Sequence, residues 1–566
     1  MQQTIRPYLL PLILGLFLLL TLGGVFYNYP FTDAIGDETV LTAASLKMFA
    51  LPTLRPDFPT NYHLPLGAYL YLPFFALLLF LLRFSGLFAD IASLIQFGVL
   101  EYGRLLPAAR GISILLGLAS VYLLYRICRT LFNDSAVGLA AAFLLATDAL
   151  FVFLAHFGKV WVPQIFTILL ALYLVVRLYR APVARLRDYA GIGALIAAAF
   201  ATHVVGVIVY LPFLVVHYYK NAGKKMTQIF VTHKHFILSH LIIAAGIALA
   251  YYLNPYGFQN YFGQSATAAL RLAGNAAAGG ERDVLRGLFF YASVLWEYAP
   301  LLLVLFCFGA YRLFWGVREA FFILMSFAVG YYLAIGPILG STHAIPHYIT
   351  PIMPALAAVA AYGVVAFFRE HIAQRSNAVK TSLVLLFVLA SVYLPLLFDY
   401  RLMQETTEQQ FMRWLPAHIP AGAKIVSFNP LFPIPENRAS IELTKKFNPA
   451  FLLRRQEYLL TLPDEEYPAP NYFVVQPTRY ADGVPAEIDR KQFAYAVLSW
   501  DDPETYADAF DHAREFGVTE EQRVAVFPEG ATKEMRGGDP ENIRRPLVAL
   551  PRMTHTGPVI AVYKLR

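Results

Sequence analysis

Arg6-Pro-Tyr-Leu-Leu-Pro-Leu-Ile-Leu-Gly-Leu-Phe-Leu-Leu-Leu-Thr-Leu-Gly-Gly-Val-Phe26 is the stretch on which the fold class turns. Behind Arg6 stand about 20 residues of apolar chain, enough to cross a bilayer core of roughly 30 Å as one helix. A cleavable leader has a shorter apolar core. Leu22-Gly-Gly24 could mimic a cleavage site, yet the run reads as an uncleaved anchor. The rest of the chain agrees. Of 566 residues, 58% are hydrophobic and 15% charged, with a mean hydropathy of +0.52. Soluble domains carry roughly 25% charge, so this is a polytopic membrane protein.

Ten further spans read at 106–125, 137–154, 160–178, 189–202, 204–219, 236–253, 285–308, 319–337, 347–368 and 380–398, about eleven in all. The loops between them alternate in charge. One set holds Arg126 and Arg129, then Arg177, Arg180, Arg185 and Arg187, then Lys220, Lys224, Lys225 and Lys234, then Arg312 and Arg318, then Arg369, Arg375 and Lys380. The positive-inside rule puts that set in the cytoplasm and the opposite ends outside. Segment 65–83 is apolar enough to cross, but a crossing there would turn every later basic loop outward. It reads instead as a helix in the outer interface, within one long outer loop over 27–105 that carries amphipathic helices.

Charge divides the chain near residue 400. Residues 1–400 hold 25 Lys+Arg against 15 Asp+Glu, and residues 401–566 hold 20 against 23. The basic excess therefore belongs to the membrane part and sets orientation; no nucleic-acid partner is expected. Residues 1–400 read as the transmembrane domain. In 401–566, β-rich runs at 424–428, 472–475, 494–499, 523–527 and 559–565 alternate with helical patterns such as 503–516, which predicts an extracytoplasmic α/β domain. Cys128 and Cys307 both lie in apolar runs, so neither a disulfide framework nor a thiolate metal site is expected.

The acids of the membrane part are scarce, yet three of its 15 fall within Asp33-Ala-Ile-Gly-Asp-Glu38, just after the first span. Carboxylates at a membrane surface are costly unless they do something. Asp37 and Glu38 have two readings: a base that removes a proton from an acceptor, or an acidic start to a helix. Asp33 is the substitute. Other polar residues fall at the same outer ends. Lys159 can neutralise a lipid-linked phosphate or snorkel to headgroups. His203 is a phosphate contact or a satisfied buried histidine. His343 and His347 are spaced by four, but Pro346 breaks the helix on which they would share a metal; His347 alone is a phosphate contact or a polar cap. His63 and His156 are secondary candidates. Whether a metal binds stays open.

The order of motifs carries a resemblance. An Asp-Glu pair follows the first span, then His63-Leu-Pro-Leu-Gly67, then Arg104-Leu-Leu-Pro-Ala-Ala-Arg-Gly-Ile-Ser113, then Leu123-Leu-Tyr-Arg-Ile-Cys-Arg-Thr-Leu-Phe132, and later His347-Tyr-Ile-Thr-Pro-Ile-Met-Pro354 and Trp414-Leu-Pro-Ala-His-Ile-Pro-Ala-Gly-Ala-Lys-Ile425. This resembles C-type membrane glycosyltransferases of the protein O-mannosyltransferase and aminoarabinose-transferase kind (glycosyltransferase family 39-like). The resemblance implies a sugar moved from a polyprenyl-phosphate donor in the lipid bilayer to an extracytoplasmic acceptor that is protein, lipid or glycan. It maps the acidic pair onto Asp37 and Glu38, with Asp37 as general base of an inverting displacement, and the carrier-phosphate contacts onto Lys159 and His347. The family often has Arg where His347 stands and Lys near His203. No cofactor is required, and a divalent metal is compatible. A prokaryotic inner membrane is the implied location, with the site and the tail outside. A transporter of lipid-linked sugars is the alternative. It would place its charges near mid-membrane rather than at span ends.

Overall fold

The computed structural model describes residues 2–31, 38–50, 53, 55–56, 64–223, 225–255, 258–259, 281–339, 345–428, 434–479, 485, 488–538 and 543–566. Sixteen helices make up the described part of the bundle: α1 (Gln2–Leu22), α2 (Glu38–Ala50), α3 (Pro65–Phe84), α4 (Ile91–Leu100), α5 (Leu106–Phe132), α6 (Ser135–Ala146), α7 (Ala149–Ala155), α8 (Trp161–Arg180), α9 (Leu186–Thr202), α10 (Tyr210–Asn221), α11 (Met226–Leu253), α12 (Glu281–Tyr298), α13 (Pro300–Gly316), α14 (Arg318–Leu339), α15 (Met353–Phe367) and α16 (Asn377–Leu402). Nine helices among the described residues are long and apolar enough to cross a membrane, or up to eleven if each of two bent pairs is one span.

Two of the spans read from hydropathy are bent pairs of helices. Residues 137–154 are α6 and α7, which meet at 62°. Asp148 causes the break: its carboxylate accepts from the Phe151 amide at 2.8 Å and starts a new helix. Residues 285–308 are α12 and α13, bent by 108° at Ala299, with Pro300 opening the second helix. Window averages see apolar composition and not direction, so both corners were hidden. Residues 189–202 were also read as a span, but α9 has only 17 residues and stops at His203, where the backbone is extended.

α3, read from the sequence as an interfacial helix, passes the length and composition test for a span. Leu64 packs with Phe200 and Ala250, where α9 and α11 finish. The next helix, α4, is about 15 Å long, and its Leu100 packs against Ile441, Leu459 and Tyr467 of the tail.

The basic loops interlock at the opposite end. Arg180 Nε donates to the Thr130 carbonyl at 3.2 Å, Lys220 Nζ to the Ala181 carbonyl, and Arg369 pairs with Asp134 at 2.6 Å. Arg312 pairs with Glu370.

The tail begins with α17 (Thr407–His418), capped by a Thr406–Gln409 box. Its strands are β1 (Lys424–Ser427), β2 (Phe473–Val475), β3 (Tyr495–Trp500), β4 (Arg523–Phe527) and β5 (Val559–Lys564). All five lie where the β-rich runs were read. They form one sheet in the order β2-β1-β3-β5-β4, parallel between β1 and both β2 and β3, antiparallel from β3 through β5 to β4. Alternate residues serve two cores. Val426, Val475, Ala496 and Leu498 face Phe510 and Phe516, beside the helix Pro503–Arg514. Ile425, Val474, Val497 and Val562 face Phe411 and Leu415 of α17.

Two latches hold the tail to the bundle. Asn28 Nδ2 donates to Glu408 Oε2 at 2.6 Å, Thr406 Oγ1 donates to Asn28 Oδ1 at 2.6 Å, and Gln409 Nε2 donates to the Tyr29 carbonyl at 2.7 Å. On the other side Arg544 grips Glu297 of α12 through two bonds of 2.8 and 2.7 Å. Asn28 is buried and uses both halves of its amide. Asn28→Ala should therefore cost about 2–4 kcal/mol, the sum of two buried bonds lost. Thermal unfolding in detergent reads that loss, and limited proteolysis should cut the tail free sooner than in the wild type.

Candidate active site

Glu38 is the first residue of α2, where an acid suits the helix dipole. It is buried, and the structure shows why that is tolerated. Arg110, from the second turn of α5, meets it with Nε at 2.6 Å from Oε1 and Nη2 at 2.8 Å from Oε2. The Gly158 amide adds a third bond to Oε1 at 3.0 Å. A buried carboxylate is stable only when paired and hydrogen-bonded in this way. Gly158 must be glycine: a Cβ there would stand 2.8 Å from Ala109 Cβ.

Arg110 does more than neutralise Glu38. Its Nη1 donates to the carbonyls of Val25 at 3.0 Å and Tyr27 at 2.6 Å. One guanidinium thus ties the end of the first span to the start of α2. Between those ties lie residues 32–37. Asp33 and Asp37 fall outside the described residues, and so do His63 and His343.

Lys159 follows Gly158 directly and is buried at this same end. It stands two residues before Trp161 in the chain. The centre of the group is Trp161, the first residue of α8. Its ring lies 4.9 Å from that of His203, 5.4 Å from His347 and 5.0 Å from Tyr348, measured between centroids. His203 closes α9, and His347 lies in the short turn Pro346–Ile352 before α15. Helix ends from three parts of the chain therefore bring His203 and His347 onto Trp161, with Lys159 two residues before that tryptophan and next to the amide that holds Glu38.

His156 stands apart from that group. Its Nε2 meets Asp399 Oδ1 at 2.8 Å and its Nδ1 meets the Val152 carbonyl at 2.8 Å. The Gly24 amide donates to the same Asp399 oxygen at 2.8 Å. Both ring nitrogens are engaged in joining α7, α16 and the end of the first span, and neither is left for a substrate. Among the described residues no three His, Cys, Asp or Glu side chains converge as a metal site would require.

The sequence reading did not single out Arg110, Trp161 or Tyr348. Arg110 carried a signal: a cation inside an apolar run calls for a buried partner. That partner is 72 residues away in the chain, and no local pattern names it. Trp161 and Tyr348 are two among 45 Phe, 35 Tyr and 5 Trp, and aromatics are common at membrane interfaces, so nothing local marks them.

No curated protein matches the chain. Among solved structures, ArnT from Cupriavidus metallidurans bound to undecaprenyl phosphate aligns at 12% identity over 97% of this chain and 97% of that one, with a TM-score of 0.44. The same protein in its apo state aligns at 12% identity over 88% and 94%, with a TM-score of 0.43. A mutant of the arabinofuranosyltransferase AftD from Mycobacteria aligns at 15% identity over 98% of this chain and 41% of that one, at 0.36. Likenesses at such scores carry no argument about this chain. Residues 92–252 match the family described as dolichyl-phosphate-mannose-protein mannosyltransferase, and over that segment, which holds Arg110, Lys159, Trp161 and His203, the resemblance read from the order of motifs is borne out.

Proposed function

We propose that this chain is an integral-membrane glycosyltransferase that takes a sugar from a polyprenyl-phosphate carrier and passes it to an acceptor outside the cytoplasm. The observation that carries the reading is the group of Lys159, His203 and His347 around Trp161, set beside a carboxylate pair whose second member is locked. Such a donor cannot leave the bilayer, so its enzyme must be embedded. The departing phosphate needs cations, and Lys159 stands at a span end as a point charge suited to it.

Roles divide within the acidic pair. Both oxygens of Glu38 are taken by Arg110 and Gly158, so Glu38 is a positioning residue. Asp37, its neighbour in the chain, is then the base. Its carboxylate takes the proton of an acceptor hydroxyl or amine. The acceptor atom attacks the anomeric carbon, and the bond to phosphate oxygen breaks on the opposite face. The carrier leaves as polyprenyl phosphate with its new charge beside Lys159, and the anomeric configuration inverts.

Sidedness follows from charge. The interlocked basic loops belong at the cytoplasmic face. The site and the tail then face outward, and the family resemblance, not the charge, supports a prokaryotic inner membrane.

The test uses the full chain in nanodiscs with undecaprenyl phosphate and labelled undecaprenyl-phosphate sugars. The wild type should bind the carrier and release the sugar to an acceptor. Lys159→Ala should weaken carrier binding by about 10–100-fold, the worth of one charge-assisted bond. A wild type that ignores the carrier would sink the reading. Unchanged affinity in Lys159→Ala would remove the phosphate role.

A further inference from the structure

Gln164 lies on the first turn of α8 and is fully buried. Its Nε2 and its Oε1 both lack a hydrogen-bond partner among the described residues. A buried carboxamide with neither half paired is rare and calls for a reason.

Position supplies one. Trp161, Gln164 and Thr167 succeed one another at intervals of three and wind along one side of α8. Trp161 packs on His203. Thr167 Oγ1 stands 3.4 Å from Thr202 Oγ1. Gln164, between them, faces the same junction where α9 ends. It thus sits one turn deeper in the bundle than the Lys159, His203 and His347 group.

The chemistry of the missing partner is constrained. A phosphate only accepts, so it would leave Oε1 unmet. An isoprenoid chain offers nothing to either atom. A hydroxyl both donates and accepts, and two neighbouring hydroxyls satisfy both halves of a carboxamide at once.

We propose that Gln164 binds the sugar ring of the donor through adjacent hydroxyls, and so helps set which sugar is accepted. This rests on the reading of the chain as a polyprenyl-phosphate-sugar transferase. It goes further by giving one buried amide the task of telling loaded carrier from empty carrier.

The experiment compares two ligands on one protein. Wild type, Gln164→Leu and Gln164→Asn, each as full chain in nanodiscs, are titrated with undecaprenyl phosphate and with a panel of undecaprenyl-phosphate hexoses and pentoses, without acceptor. The wild type should bind at least one loaded carrier about tenfold or more tighter than the empty one, and Gln164→Leu should lose that difference while keeping its affinity for undecaprenyl phosphate. Gln164→Asn, which keeps the amide on a shorter arm, should change the ranking of the sugars. The leucine variant removes two unpaired polar atoms, so the ligand-free protein should melt no lower than the wild type; a purely structural glutamine would make it melt lower. Retained preference for the loaded carrier in Gln164→Leu would overturn the proposal and give the amide to a buried water instead. Equal weakening of both ligands would overturn it too. If wild-type protein binds neither, the transferase function falls as well; if it binds and transfers normally while Gln164→Leu matches it, only the role of Gln164 falls.

Discussion

Asp37→Asn should abolish most transfer while leaving the donor bound. The substitution keeps shape and removes only the basic oxygen, so carrier affinity is expected to stay within about twofold of wild type. Transfer should fall by roughly 10²–10⁴, the range for a missing general base. A second signature separates this from misfolding. Asp37→Asn should hold undecaprenyl phosphate as the wild type does in the same preparation, which a misfolded protein would not. Asp33→Asn serves as the companion, and it should retain transfer. Full turnover by Asp37→Asn would refute the assignment. Loss confined to Asp33→Asn would move the base four residues back along the chain.

The second large effect falls on Arg110. Arg110→Ala leaves the buried Glu38 carboxylate without its charge partner and releases the carbonyls of Val25 and Tyr27. Breaking a buried pair by removing one partner costs about 3–5 kcal/mol, which denaturation in detergent should show plainly. The double variant Arg110→Met with Glu38→Leu is more telling. Replacing both charges with apolar groups should recover most of the stability. Transfer should stay low, because nothing then ties Tyr27 to the start of α2. A double variant that is both stable and active would mean that the pair has no part in presenting Asp37. An Arg110→Ala protein that melts like wild type would contradict the burial of the pair.

Much of this architecture was readable from residues alone, for identifiable reasons. The sheet strands of the tail stood out because each is a short apolar or β-branched run between polar turns. The basic loops stood out because positive charge is rare elsewhere in the membrane part. The corners at Asp148 and Ala299 were missed although their signals were local: an aspartate cap in one, Ala299-Pro300 in the other. Hydropathy summed over a window hides both. The partnership of Glu38 with Arg110 is different in kind. It joins residues far apart in the chain, and it appears only when α2 and α5 are packed. The gathering of Lys159, His203 and His347 on Trp161 is likewise a product of three helix ends meeting. Alone, each offered a bland reading beside the phosphate one: a snorkelling lysine, a satisfied buried histidine and a polar cap. Asp33, Asp37, His63 and His343 lie outside the described residues, so their places rest on chain order and, for Asp37, on the proposed chemistry.

The double grip of Arg110 on Tyr27 and Glu38 has a further meaning for how such a protein diversifies. Both joins of the intervening stretch are set by groups on other helices. Exchanges in front of Asp37 that spare Asn28 and Tyr29 would leave both anchors and the latch to the tail in place. A library of such exchanges, screened for transfer to different acceptors, would measure what that stretch contributes to the proposed reaction.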